Sequence, residues 1–118
     1  KELETRQSSR RTRTQRDELD RMMLDLLSYY RDLLALLTGS ADEGPDGSAG
    51  LELVNEEMAA ELRRVAAAET LVGTMLRVQA IEQARRALVA NVAPQLAVEA
   101  LMVELWDPSL RAKLHRAG

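Results

Sequence analysis

Few side chains in this 118-residue chain are chemically reactive, and those few are poorly placed to work together. The single histidine, His115, sits between Leu114 and Arg116 near Lys113, remote in sequence from any acid or nucleophile that would use it, and reads as a surface residue. Cysteine is absent, which removes thiol nucleophiles, disulfides and thiolate metal ligands. Glu56, Glu57 and Glu61 read as helix-start and outer-face acids, and no Glu-x-x-His pair marks a metal site of the kind helical bundles build. Ser28, Thr74, His115 and the acids do not assemble a nucleophile, a base and an orienting group. The expectation is a chain with no catalytic, cofactor-binding or metal-binding residues.

The remaining chemistry is charge. The formal net charge is −3, but residues 1–16 hold Lys1, Arg6, Arg10, Arg11, Arg13 and Arg16 against Glu2 and Glu4, so a basic arm precedes an acidic body. Arginine clusters of this kind bind phosphate, and a nucleic-acid-binding helical domain using Arg6, Arg10, Arg11, Arg13 and Arg16 is one functional reading. Against it, no aromatic residue is interleaved to stack on bases. The plainer reading is a solvated helical extension, because Leu3 is the only large apolar residue in the arm.

The elements that would position these groups are helical. The apolar set is Leu, Ala, Val and Met, with no Phe, two Tyr and one Trp, and strong helix formers outnumber β-branched residues. The length suits one domain. Leu19, Met22, Met23, Leu26, Leu27, Tyr30, Leu33, Leu34 and Leu37 recur at steps of three and four, which predicts a first bundle helix over 17–37, with Asp25, Ser28, Arg31 and Asp32 on its outer side. Tyr29 and Tyr30 diverge by about 100°, so one of them belongs at a boundary. Residues 38–50, rich in Gly with Pro45, read as a flexible loop that matches no phosphate-binding pattern. A second helix is expected within 51–68, capped by Asn55, with Leu51, Leu53 and Val54 closing over its first turn and Met58, Leu62 and Val65 facing inward. Thr70 is positioned to cap a third helix with an inner stripe of Leu71, Met75, Val78, Ile81, Ala84 and Leu88.

Pro94 disfavours helical geometry at Ala93, so the chain should break at 91–94 and restart with Pro94 in the first turn of a fourth helix. That helix carries only Glu99 and Glu104 as charges and is therefore expected to be central, enclosed by the others or by a neighbouring subunit. Asp107 and Pro108 then begin a short terminal helix with Leu110 and Leu114. The expected organisation is a basic lead-in over 1–16, an all-α bundle of four main helices over 17–105, and a tail over 106–118 ending in that short helix. No apolar run is long enough for a membrane span and nothing resembles a secretory signal, which predicts a cytoplasmic protein with no membrane partner. The opening on Lys1, within a charged helical pattern, suggests a piece of a longer protein.

LDRMMLDLLSYYRDLLALLTGS at 19–40, LVNEEM at 53–58 and ARRALVANVAPQLAVEALMVEL at 84–105, in that order, resemble the C-terminal collar domain of the delta-prime family of bacterial DNA polymerase III clamp-loader subunits. The abundance of Arg and Ala is similar to actinobacterial members. The collar domains of tau/gamma and delta share the architecture. The resemblance implies an oligomerisation module packed side by side with tau/gamma and delta in a closed ring, within a complex that loads the sliding clamp for DNA replication. It also implies no ATP hydrolysis by this subunit, no cofactor in this segment and no nucleic acid bound by the helical body. Tyr29, Arg31, Arg85, Arg86 and Trp106 are the candidate interface residues, since Tyr, Arg and Trp dominate interface energetics and these lie at the edges of the inner stripes. A self-associating structural bundle is a third class.

Overall fold

The computed structural model describes residues 2–110 and Lys113, and these form an all-α bundle of four helices. They are α1 (Glu2–Leu37), α2 (Ala59–Ala68), α3 (Leu71–Val89) and α4 (Pro94–Trp106), with a single 3-10 turn, Glu56–Met58, leading into α2. The basic lead-in and the first bundle helix are one uninterrupted helix of 36 residues, about 54 Å long at 1.5 Å per residue. Residues 3–15 are exposed at every position, so this part of α1 projects past the bundle. The radius of gyration, 18.0 Å, accordingly exceeds the roughly 13–14 Å of a spherical domain this size.

α1 is the spine. α2 packs along one side of it and α3 along another, while α4 packs chiefly on α3. Met23, Ala80, Ile81, Ala84, Leu88, Ala97 and Leu101 form the core between α1, α3 and α4, bordered by Leu19, Leu26, Leu27 and Tyr30. Of the apolar stripes expected from spacing, Met22, Leu71 and Met75 are exposed, while on α3 Ile81, Ala84 and Leu88 are buried as expected, joined by Thr74 and Ala80.

Asp32 corrects the sequence reading most sharply. It was expected to face water with Asp25 and Arg31, yet it is 0 % exposed. Asp32 lies nine positions from Met23, half-way round the helix at about 100° per residue, so α1 is buried on two opposite sides. Its Oδ1 accepts the Val54 N–H and its Oδ2 the Asn55 N–H, both at 2.8 Å, and the Asn55 side-chain amide donates to Oδ2 at 2.8 Å. Asn55 does stand at the start of the Glu56–Met58 turn, but its side chain makes no capping bond there; its amide instead donates to Asp32 and, at 3.4 Å, to the Ser28 hydroxyl. Residues 51–55 are not helical, and Leu51 and Val54 stay exposed rather than closing over α2. The inner residue of α2 is Leu62, fully buried, with Met58 and Val65 partly so.

The loop between α1 and α2 is closed by its own backbone. Gly39, at φ +75°, ends α1, and the Leu51 N–H donates to the Ser40 carbonyl at 2.8 Å. Gly50 passes so near Ala41 that a Cβ there would fall 2.2 Å from the Ala41 carbonyl oxygen. Thr70 caps α3 as expected, its hydroxyl accepting the Gly73 N–H at 3.0 Å. The break at 91–94 is a Schellman end: Asn91 sits at φ 69°, its N–H reaches the Leu88 carbonyl, and the Val92 N–H reaches that of Ala87. Pro94 then opens α4.

α4 is an edge helix and not the centre. Only Ala97 and Leu101 are buried, Leu96, Met102 and Val103 are exposed, and Trp106, expected in the tail, is its last residue. Arg77 fastens its far end to α3, with Nε donating to the Leu105 carbonyl at 3.0 Å and Nη1 to Glu69 at 2.9 Å. Asp107 ends α4 and accepts the Ser109 N–H at 3.1 Å, whereas most of the short terminal helix expected after it, with Leu114 and His115, lies outside the described residues.

Burial raises the Asp32 carboxyl, but the two backbone N–H groups, the Asn55 amide and the Arg31 guanidinium together hold it below the ordinary aspartate value. A depressed folded-state value means that its contribution is complete above the unfolded value of about 3.9 and is lost as pH falls through the folded one. Asp32→Asn, which turns a donor toward donors, should cost about 2–4 kcal/mol in urea unfolding at neutral pH. The variant should also lose part of the decline in stability that the wild-type chain shows on acidification below about pH 4.

Candidate partner interface

The five residues chosen from the sequence as interface candidates do not meet. Tyr29 is partly buried on the α2 side of α1, edge-on to Tyr30 with ring centroids 5.4 Å apart. Its hydroxyl is raised above the ordinary tyrosine value first by burial and then by the negative charges of Glu61 and Glu69. Arg31 lies about 200° round the helix from Tyr29 and borders a shallow groove with Leu34, Thr38, Leu51, Leu71 and Met75. Its Nη1 stands 3.4 Å from Asp32 Oδ1.

Arg85 and Arg86 face a cleft at the other end of the bundle, between α1 and α3, which brings them beside two arginines of the basic arm, Arg13 and Arg16. The cleft also contains Asp17, Asp20 and Glu82. Arg85 is engaged there: its Nε donates to Asp20 Oδ1 at 2.7 Å and its Nη2 to Oδ2 at 3.4 Å. Arg16 donates through Nη1 to the Asn91 side chain and through Nη2 to the Val92 carbonyl at 3.4 Å, tying the arm to the α3–α4 corner. At about 760 Å³ the cleft has the size of a small-molecule site, and seven charged residues, Arg13, Arg16, Asp17, Asp20, Glu82, Arg85 and Arg86, line it without an aromatic side chain.

Trp106, 89 % exposed, belongs to a different surface. On α4 the buried Ala97 and Leu101 turn toward α3, and Leu96, Met102, Val103 and Trp106 occupy the opposite half of the helix with Gln95 and Glu99 among them. Spacing had shown that this helix is apolar nearly all round. It could not show which half the chain covers, because no polar stripe marks an outside. A second apolar hollow of about 410 Å³ runs between α3 and α4, lined by Ala80, Ala84, Ala87, Val92, Leu96 and Ala100 among others.

The Ser28 hydroxyl donates to the Asp25 carbonyl and that of Thr74 to the Thr70 carbonyl, both at 2.8 Å. Among the described residues no three His, Asp or Glu side chains are grouped to hold a metal ion, and no helix is long and apolar enough to cross a membrane. Asp32 and Arg77, the polar residues that organise the fold, escaped sequence reasoning because their partners lie 22 and 28 residues away.

The Arg85–Asp20 pair is about one-third exposed on both sides, 35 % and 40 %, so Arg85→Met should change stability by only about 0–1 kcal/mol in urea unfolding. A scan of protein-family models and searches of curated proteins and of solved structures each return no match to this chain.

Proposed function

We propose that this chain is an assembly module: it holds a larger complex together through the outer face of α4 and does no chemistry of its own. One observation carries the reading. Leu96, Met102, Val103 and Trp106 stand exposed on one half of a single helix that has no cation and only two acids. Burying a large apolar side chain is worth about 1.5–3 kcal/mol, so leaving four in water on one face is the pattern of a surface that a partner covers. Trp is also the residue type most enriched among interface anchors.

The partner class comes from the resemblance in residues 19–40, 53–58 and 84–105. On that basis the complex is the cytoplasmic clamp loader of a bacterial DNA polymerase III holoenzyme, the subunit is of the delta-prime kind, and the neighbours are the collar domains of tau/gamma and delta. An all-α bundle with an exposed apolar helix face supports this reading, as does the break at Asn91 to Pro94.

The test is reconstitution. The chain should run alone as a monomer or weak dimer in gel filtration and co-elute with a tau/gamma and delta pair from an actinobacterial clamp loader. Leu96→Glu with Val103→Glu, both exposed and therefore tolerated by the fold, should abolish co-elution without loss of helicity. Emission from Trp106, the only tryptophan, should shift to shorter wavelength on association. A chain that ignores both subunits, or a double variant that still joins them, would overturn the proposal.

A further inference from the structure

The projecting part of α1 plays no role in the assembly reading, and its chemistry is of another kind. We propose that it is a docking surface for the phosphate backbone of duplex nucleic acid, formed by Arg6, Arg10 and Arg13 and continued by Arg86 at the mouth of the α1–α3 cleft.

Arg6, Arg10 and Arg13 follow one another at steps of four and three, so on the observed helix they form one stripe about 10 Å long. All three are exposed, as is every residue of 3–15. Arg13 and Arg16 border both the cleft that holds Arg86 and a polar groove lined by Ser8, Ser9 and Thr12, so guanidiniums and hydroxyls occur together along the same surface. Those are the side chains that contact phosphate oxygens and sugars. Arg16 and Arg85 are spent on Asn91, Val92 and Asp20, which leaves them as anchors of the surface and not its free charges. Asp17 and Glu82 border the cleft and weaken its field, so the stripe on the projection carries most of the attraction.

The composition of the projection selects the partner. Leu3 is its only large apolar residue, so an acidic protein would find almost nothing to bury there, and buried apolar anchors are what give protein interfaces their energy. Phosphate contacts need no such anchors. No aromatic residue precedes Tyr29, so bases of a single strand have no surface to stack on and the duplex backbone is the better match. Binding of this kind is independent of sequence, with a dissociation constant of about 10⁻⁴–10⁻⁶ M, and it is strongly salt-dependent.

The test uses the full chain and a fluorescein-labelled DNA duplex of arbitrary sequence, about 20 base pairs long, in anisotropy titrations between about 50 and about 200 mM salt. Three to four phosphate contacts predict a slope of log affinity against log salt of about −3. Arg6→Gln with Arg10→Gln and Arg13→Gln should leave the helical circular dichroism intact, flatten the slope by about 2–3 and weaken low-salt binding at least about tenfold. Arg63→Gln with Arg64→Gln, exposed on α2, should bind as the wild type does, and so should the α4 variant, which separates this proposal from the assembly reading. The proposal is overturned by an absence of salt-dependent binding, by equal binding of the triple variant, or by a polyglutamate peptide that binds as tightly as the duplex.

Discussion

The buried carboxylate of Asp32 is the constraint on which the rest of this bundle depends. A helix that packs on one side only needs an apolar stripe, but α1 has neighbours on opposite sides, and the second side is organised by charge-assisted hydrogen bonds and not by another row of leucines. Asp32 takes the two backbone donors of Val54 and Asn55, which lie in an irregular segment with no ladder of their own to satisfy them. That choice fixes where the chain returns after the loop over 38–50, and so where α2 begins. Loop closure by Leu51 on Ser40, and the close approach of Gly50 to Ala41, follow from the same return path.

Much of this architecture is legible in the sequence, and the legible parts share a physical cause. Thr70, Asn91, Pro94 and Asp107 act within a turn or two of their own position, through capping, left-handed backbone geometry and the missing proline N–H, so local sequence specifies them. What spacing misreads are residues whose partners come from elsewhere. Asp32 looks like a solvated acid because a helical wheel assigns polar residues to water. Asn55 stands at the start of a turn as its position before two glutamates suggests, but its side chain reaches across the fold to Asp32 and Ser28 and not to the turn's own N–H groups. Met22 and Met75 look buried because a stripe at steps of three and four does not reveal how wide the covered strip is. The same blindness hid the cleft, since Arg13 and Arg16 meet Arg85 and Arg86 only after α3 has folded back along α1.

The two candidate surfaces differ in how the chain pays for them. The exposed half of α4 stays apolar although no other helix among the described residues is laid against it, and Arg77 holds the end of that helix in place from the α3 side. The arm of α1 is polar throughout and would be stable as helix only because the packed part of α1 has already nucleated it. One surface therefore draws on hydrophobic burial, which salt strengthens or leaves alone, and the other on charge, which salt screens.

The uninterrupted length of α1 has a mechanical meaning. A continuous α-helix is stiff along its axis, and Arg16 braces this one against the α3–α4 corner just where it leaves the bundle. The arm is therefore a lever and not a tether: its direction in space is set by the same corner that sets the direction of α4. If both proposed partners bind, the angle between them would be set by the Arg16 contacts at that corner.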